Sequence, residues 1–245
     1  MNQNDSKLKP LLHKIQSESS AGIACIFDID STLYCVSSRT QAILRTLGKE
    51  QNFKTSHPEL SEALQTIQVE SFDWGFRAPL ERLNMAVPPE AIQSIRGFWK
   101  KNFFSNSFLV HDLLYPNANE FVQMCMRHGA EIFYLTGRSD SLMREGTLEQ
   151  LERDGFPLAS EDHLIMKTNE DLQDEDFKSS RLKDFGSQFS KIYFFENEPV
   201  IVESVMKDLP HIELVFMDST HSQRRPRPEG LPTITPDSFA EAVKK

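Results

Sequence analysis

The sequence is short of three things, and each shortage excludes something. Cysteine is scarce: Cys25, Cys35 and Cys125 are the three in 245 residues, with no CxxC spacing. An odd count without paired spacings argues against a disulfide framework and makes the cytoplasm the expected compartment. Cys25 lies in an apolar run and is expected to be a buried free thiol. Positive charge is also scarce, with 27 Lys and Arg against 36 Asp and Glu and a net charge of −9. That balance argues against a protein that coats nucleic acid or an anionic membrane. A small anionic substrate remains compatible, because a metal and a few local cations reverse the sign inside one cleft. Long apolar runs are missing as well. No stretch approaches the roughly 18 residues a membrane helix needs. The first twenty residues, polar on the whole, lack a long apolar core and a small-residue cleavage site. No signal peptide is expected there, only a short helix or loose lead-in.

What is present reads as a folded α/β chain. The 245 residues suffice for one large domain or a domain with an insertion, and 39% hydrophobic against 26% charged residues fits a globular protein. Continuous apolar runs occur at AGIACIFDID, then at 130–137, 163–167, 191–197 and 212–218. Runs that do not alternate mark strands covered on both faces, as in a parallel sheet of about five strands. Helical segments separate them. One spans 118–129 and stops at Gly129; another spans 139–155 and stops at Gly155. Alternating strand and helix predicts a three-layer, Rossmann-like α/β fold. Residues 33–117 interrupt that rhythm with helical pieces and no clear strand, which predicts a helical insertion over the mouth of the sheet. Core segments are then 1–32 and 118–245. The acidic run NEDLQDED and the basic, Pro-rich QRRPRPEGLP read as solvated connections.

Chemistry gathers at the predicted strand ends, where ligands bind in open α/β sheets. FDIDSTL places Asp28 and Asp30 two apart, on one side of an extended chain. A helix cap explains Asp30, Ser31 or Thr32 but not Asp28. Two such carboxylates repel and call for a cation or a shared proton. YLTGRSD offers Thr136, Gly137 and a helix start, a combination able to receive a phosphate. FFENEP clusters Glu196, Asn197 and Glu198, and oxygen ligands suit Mg²⁺. Lys178 falls near a helix N-terminus, where a lysine is misplaced unless an anion is close. Lys183 and Lys167 compete with it.

FDIDSTL, YLTGR, a downstream lysine and FFENEP, in that order, resemble the four motifs of the haloacid dehalogenase superfamily of phosphohydrolases. The likeness spans roughly residues 21–220, and the insertion resembles the helical cap many members carry. It implies Mg²⁺-dependent hydrolysis of phosphomonoesters, with Asp28 as nucleophile forming an aspartyl-phosphate and Asp30 as general acid and base. Thr32 braces the loop, Thr136 and Gly137 hold the phosphoryl group, and a lysine, with Lys178 favoured, neutralises charge. Asp28, the main-chain carbonyl of Asp30, and Glu196 or Asn197 complete the metal site. Glu-Asn-Glu departs from the aspartates usual in the fourth motif, which raises the alternative of a binding or regulatory protein without turnover. A dehalogenase is disfavoured, since the second acid, Asp30, serves phosphate leaving groups rather than halide.

The expected substrate is a small phosphorylated metabolite or nucleotide. Specificity is expected from the insertion, with Arg39, Trp74 and Arg77 as candidates, although packing inside the insertion is the expected role of Trp74 and Phe76. Arg138 is a candidate for a substrate anion or a partner of Asp140. His111 and Asp112 have no ligand partner at metal spacing.

Overall fold

Apolar runs without alternation become strands only where both sheet faces are covered. The structure, a computed structural model, describes residues 7–18, 22–169 and 171–244. The strands are β1 (Ile23–Phe27), β2 (Tyr34–Cys35), β3 (Leu113–Leu114), β4 (Ala130–Ser139), β5 (Leu164–Lys167), β6 (Lys191–Glu196), β7 (Glu213–Met217) and β8 (Thr233–Ile234). Six of them form one parallel sheet in the order β5-β4-β1-β6-β7-β8. The five predicted runs are its first five members in sequence. The sixth, β8, pairs through Phe216↔Thr233 and Met217↔Ile234. Two residues after a Pro-rich loop leave no pattern to read.

The helices are α1 (Leu8–Glu18), α2 (Ser37–Leu47), α3 (Gln51–Ser56), α4 (Pro58–Thr66), α5 (Arg77–Glu81), α6 (Pro89–Phe103), α7 (Ala118–Arg127), α8 (Asp140–Arg153), α9 (Asp174–Phe185), α10 (Pro199–Asp208) and α11 (Pro236–Val243). The period of two in β1 sorts its side chains between two cores. Ile23, Cys25 and Phe27 join residues of α1, α7 and α11, while Ala24 and Ile26 join those of α9 and α10. Tyr193 and Phe195 against Ile192 and Phe194 divide β6 in the same way. Phe27 stacks on Phe195, with ring centroids 4.4 Å apart. Gly129 and Gly155, at φ +98° and +72°, stop α7 and α8 in a conformation L side chains avoid. Cys25 and Cys125 are buried, Cys35 is half-buried, and all three thiols are free. No helix among the described residues is long and apolar enough to cross a membrane.

Residues 37–103 are mainly helical, and α2 to α6 close on their own apolar cluster, built around Leu44, Leu64, Phe76 and Ile95. The chain leaves the sheet through β2 and returns through β3. These two pair antiparallel as Tyr34↔Leu114 and Cys35↔Leu113, a short ribbon where no strand was predicted. Of the expected lead-in, residues 8–18 form amphipathic α1, with Leu8, Leu12 and Ile15 buried; residues 1–6 and 19–20 lie outside the described residues.

Candidate active site

In strand order β1 sits between β4 and β6, so the chain departs to opposite sides on either flank of its carboxyl end. That is where an open α/β sheet makes a crevice. Asp28 follows β1 directly, and its amide donates to the Phe195 carbonyl at 3.0 Å, so the residue continues the sheet's pairing. Glu196 ends the adjacent β6. Above both, α9 sets Phe177, Leu182 and Phe185 into the core, and its Lys178 reaches the strand ends. The Lys178 ammonium donates to Asp28 Oδ1 at 2.5 Å and to Glu196 Oε2 at 2.7 Å. All three side chains are almost fully buried.

Two buried carboxylates thus share one buried cation. Burial raises the Asp28 carboxyl above its ordinary range, against the pull of Lys178. Burial likewise pushes Glu196 up to about 7, with Lys178 opposing and Asp28 adding repulsion. Burial alone would lower Lys178, yet the carboxylates of Asp28 and Glu196 hold it above its ordinary value. The competing lysines are elsewhere: Lys167 donates to Asp174 at 2.7 Å, and Lys183 sits in the last turn of α9.

After Asp28 the chain turns tightly, with the amides of Thr32, Leu33 and Tyr34 all within 3.2 Å of the Ile29 carbonyl. Ser31 takes φ +62° in this turn, a conformation that costs a non-glycine residue about 1–2 kcal/mol. The turn brings Thr32 back over the site. Its hydroxyl lies 3.0 Å from Asp28 Oδ2 and 3.2 Å from Asn197 Oδ1, and has one hydrogen to share between them. Asn197 is oriented by its own amide, which donates to the Thr220 carbonyl at 2.6 Å and so turns Oδ1 toward Asp28.

Thr136 and Gly137 also border the cleft, but on a bulged stretch of β4 rather than at a helix start, since α8 begins only at Asp140. A Cβ on Gly137 would lie 2.7 Å from the Asp174 carboxylate, so a larger residue there would have to displace that side chain. Arg138 borders the cleft as well, but its guanidinium is engaged by protein groups. Nε and Nη2 donate to Asp30 Oδ1 at 3.1 and 2.6 Å, Nη2 also to Asp112 Oδ2 at 3.1 Å, and Nη1 to Thr147 and Gln150. Every one of its five N–H donors has a protein acceptor. Asp140 pairs with Arg144 instead. Arg39, expected near a substrate, is wholly buried and bonds Asp30, Asp112 and the Phe103 carbonyl. Burial alone would raise the Asp30 carboxyl, but the guanidiniums of Arg138 and Arg39 hold it well below the usual carboxylate range.

The cleft that contains these groups has a volume of about 440 Å³. Its outer wall is aromatic: Trp74, Trp99, Phe103 and Phe104. Trp74 is more than half exposed there, whereas Phe76 is buried in the cluster of α2 to α6. The expectation of packing thus holds for Phe76 and fails for Trp74, which loops out beside Gly75 and not along a helix. Arg77 borders a separate pocket within those helices. Across the cleft Thr220 donates its hydroxyl to the Ser71 carbonyl, tying the loop after β7 to the Trp74 loop.

Among the described residues, no group of three or more His, Cys, Asp or Glu side chains is placed to hold a metal ion. Amide and main-chain oxygens enlarge the choice. Glu196 is the more heavily engaged candidate, because Oε2 accepts from Lys178 and Oε1 accepts the amides of Asn197 and Glu198 at 2.9 Å. Asn197 Oδ1 and Asp28 Oδ2 fit a ligand role, as hard oxygen atoms that share a single hydroxyl hydrogen.

Residues 102–194 match the family model of HAD superfamily, subfamily IIIB (acid phosphatase). This span includes Thr136 and Lys178 but neither Asp28 nor Glu196. No curated protein matches the chain in sequence. Among solved structures, one described as a phosphatase of Clostridium difficile superposes with a TM-score of 0.51 at 15% identity, over 88% of this chain and 94% of that one. A haloacid dehalogenase-like hydrolase of Burkholderia xenovorans gives 0.50 at 14%, over 92% and 100%. Protein tyrosine kinase A of Mycobacterium tuberculosis gives 0.53 at 12%, over 91% and 97%. At these identities the likeness is one of fold, and the names differ in activity.

Proposed function

From a chain with the fold of the haloacid dehalogenase superfamily, we propose a phosphomonoesterase that works through an aspartyl-phosphate on Asp28. The observation that carries this reading is the buried Asp28–Lys178–Glu196 cluster at the carboxyl ends of β1 and β6, with Asp30 at the same mouth. Asp28 attacks phosphorus through a carboxylate oxygen; Arg138 and Arg39 keep Asp30 ionised in the free protein, so Asp30 takes the proton of a monoanionic phosphate ester as it binds and passes it to the departing ester oxygen. Asp30 then takes a proton from water, which attacks the phosphorus of the acyl-phosphate and releases inorganic phosphate and free Asp28. Lys178 supplies fixed positive charge beside the nucleophile, in a dry setting where such charge is most effective. Thr136 and the Gly137 amide receive the phosphoryl oxygens, and α2 to α6 act as the cap. Mg²⁺ would be held by Asp28, Asn197 and the main-chain carbonyl of Asp30, and would contribute neutralising charge and a template for in-line attack. Small phosphorylated metabolites or nucleotides are the substrate class.

Glu-Asn-Glu in the fourth motif favours a second reading, a protein that binds phosphate esters without turning them over. An assay decides between them. Purified protein hydrolyses p-nitrophenyl phosphate with Mg²⁺, stops when the metal is chelated, and loses turnover in Asp28→Asn. Activity indifferent to chelator sinks the metal assignment, and near-normal Asp28→Asn sinks the nucleophile. No activity across a broad ester panel, with phosphate still bound, supports the second reading.

A further inference from the structure

Four charged groups form a closed ring at the root of the helical segment, and two of them, Arg39 and Asp112, do not line the cleft. Asp112 stands just before β3, where the chain returns to the sheet, and its side chain is fully buried. Arg39 comes from α2, Arg138 from the end of β4 and Asp30 from the turn after β1. Each arginine places its Nη2 between the two carboxylates. Arg39 Nη2 is 2.8 Å from Asp30 Oδ1 and 2.5 Å from Asp112 Oδ2. Arg138 Nη2 is 2.6 Å from Asp30 Oδ1 and 3.1 Å from Asp112 Oδ2. Gln150 braces the ring, with Nε2 on Asp112 at 2.9 Å and Oε1 accepting from Arg138 at 2.7 Å. The Arg39 guanidinium also lies 4.4 Å from the centre of the Phe103 ring.

The ring treats the two oxygens of Asp30 unequally. Oδ1 accepts three N–H groups, from Arg39 Nη2, Arg138 Nη2 and Arg138 Nε. Oδ2 has one contact among the described residues, Arg39 Nη1 at 3.5 Å, at the outer limit of a hydrogen bond. The carboxylate is thus anchored through Oδ1 and open at Oδ2. Without the Asp112 carboxylate, two adjacent guanidiniums would repel each other across their shared edge, with Asp30 as the one carboxylate left in the ring.

We propose that Asp112 is a positioning residue: through Arg39 and Arg138 it fixes the Asp30 carboxylate by Oδ1 and leaves Oδ2 turned to the leaving group. Its kinetic consequence rests on the phosphatase reading; its structural consequence does not. Because Arg39 rides on α2, the ring also couples the placement of Asp30 to that of the helical segment.

Asp112→Asn keeps the shape and removes the charge. The expected result is leaving-group dependent. The kcat/KM for β-glycerophosphate, which reports the step in which its alkoxide needs a proton, falls at least about tenfold, part of the roughly 10²–10⁴-fold that general acid catalysis supplies. The kcat/KM for p-nitrophenyl phosphate, whose phenolate departs unaided, falls less than about threefold. Equal loss of kcat/KM on both esters, or loss on neither, overturns the proposal. In a crystal structure of the variant the Asp30 carboxylate is displaced; an Asp30 held in its original place overturns the proposal whatever the kinetics. If Asp112→Asn does not fold, Gln150→Leu, which keeps all four charges, is judged by the same two criteria. Wild-type protein that hydrolyses neither ester refutes the phosphatase reading instead, and the crystallographic comparison still decides this one.

Discussion

Replacing Lys178 by methionine removes the one cation between Asp28 and Glu196 and keeps most of the buried stem. Nζ lies 2.5 and 2.7 Å from the two carboxylates. Leaving buried charge without its partner costs about 3–5 kcal/mol, which for a chain of this size lowers the melting temperature by roughly 6–20 °C. The carboxyls respond by keeping protons, and the sign of the pH dependence follows. A carboxyl whose folded pKa is raised contributes stability that is complete below its unfolded value and is lost as pH rises through the folded one. In the wild type Glu196 sits at about 7, so its share of that loss is finished near pH 7. In Lys178→Met both carboxyls rise further, and each proton retained above pH 7 adds a loss of about 1.4 kcal/mol per pH unit. Denaturant unfolding of both proteins at pH 5.5, 7 and 8 measures the difference. The expected result is a gap that widens with pH. A gap that is constant across this range, or below about 1 kcal/mol at pH 8, would refute the shared-cation account of the site.

Three further outcomes are expected. Asn197→Ala raises the Mg²⁺ concentration for half-maximal activity at least about tenfold, whereas Glu196→Gln leaves it within about threefold; the reverse order would return the ligand role to Glu196. Trp74→Ala raises KM for aryl phosphates roughly three- to tenfold with stability unchanged to within about 0.5 kcal/mol, as measured by steady-state kinetics and thermal melts. Phe27→Ala, which removes the ring stacked on Phe195, destabilises by about 3–5 kcal/mol in urea titration.

The buried strands were legible because full burial on two faces writes itself as an unbroken apolar run, and the acids that end those runs stood out against it. A helix start made Lys178 a candidate beside Lys167 and Lys183, the resemblance to the superfamily put it first, and the structure brings it against Asp28. The ring of Asp30, Arg39, Asp112 and Arg138 was not legible. Its members are far apart in sequence, and Arg39 and Arg138 read as contacts for a substrate anion rather than as partners of Asp112. Ser31 gave no signal either, since nothing in a serine announces a left-handed turn; the neighbours impose it. Trp74 was misread because an aromatic among helical segments is usually packing, and only the three-dimensional path of its loop turns it to the cleft. Glu196 and Asn197 could not be separated by residue type. Their roles divide according to which oxygens neighbouring N–H groups have already claimed.

The amide of Asp28 donates to the Phe195 carbonyl, so the proposed nucleophile is backbone-locked into the central ladder of the sheet. Its amide hydrogen therefore exchanges with solvent only when the whole domain opens, since central strands are the last to open. The helical segment proposed as the cap meets the far side of the cleft through loop contacts such as Thr220 with Ser71. Under that reading, breathing of the segment changes access to Asp28 without moving it.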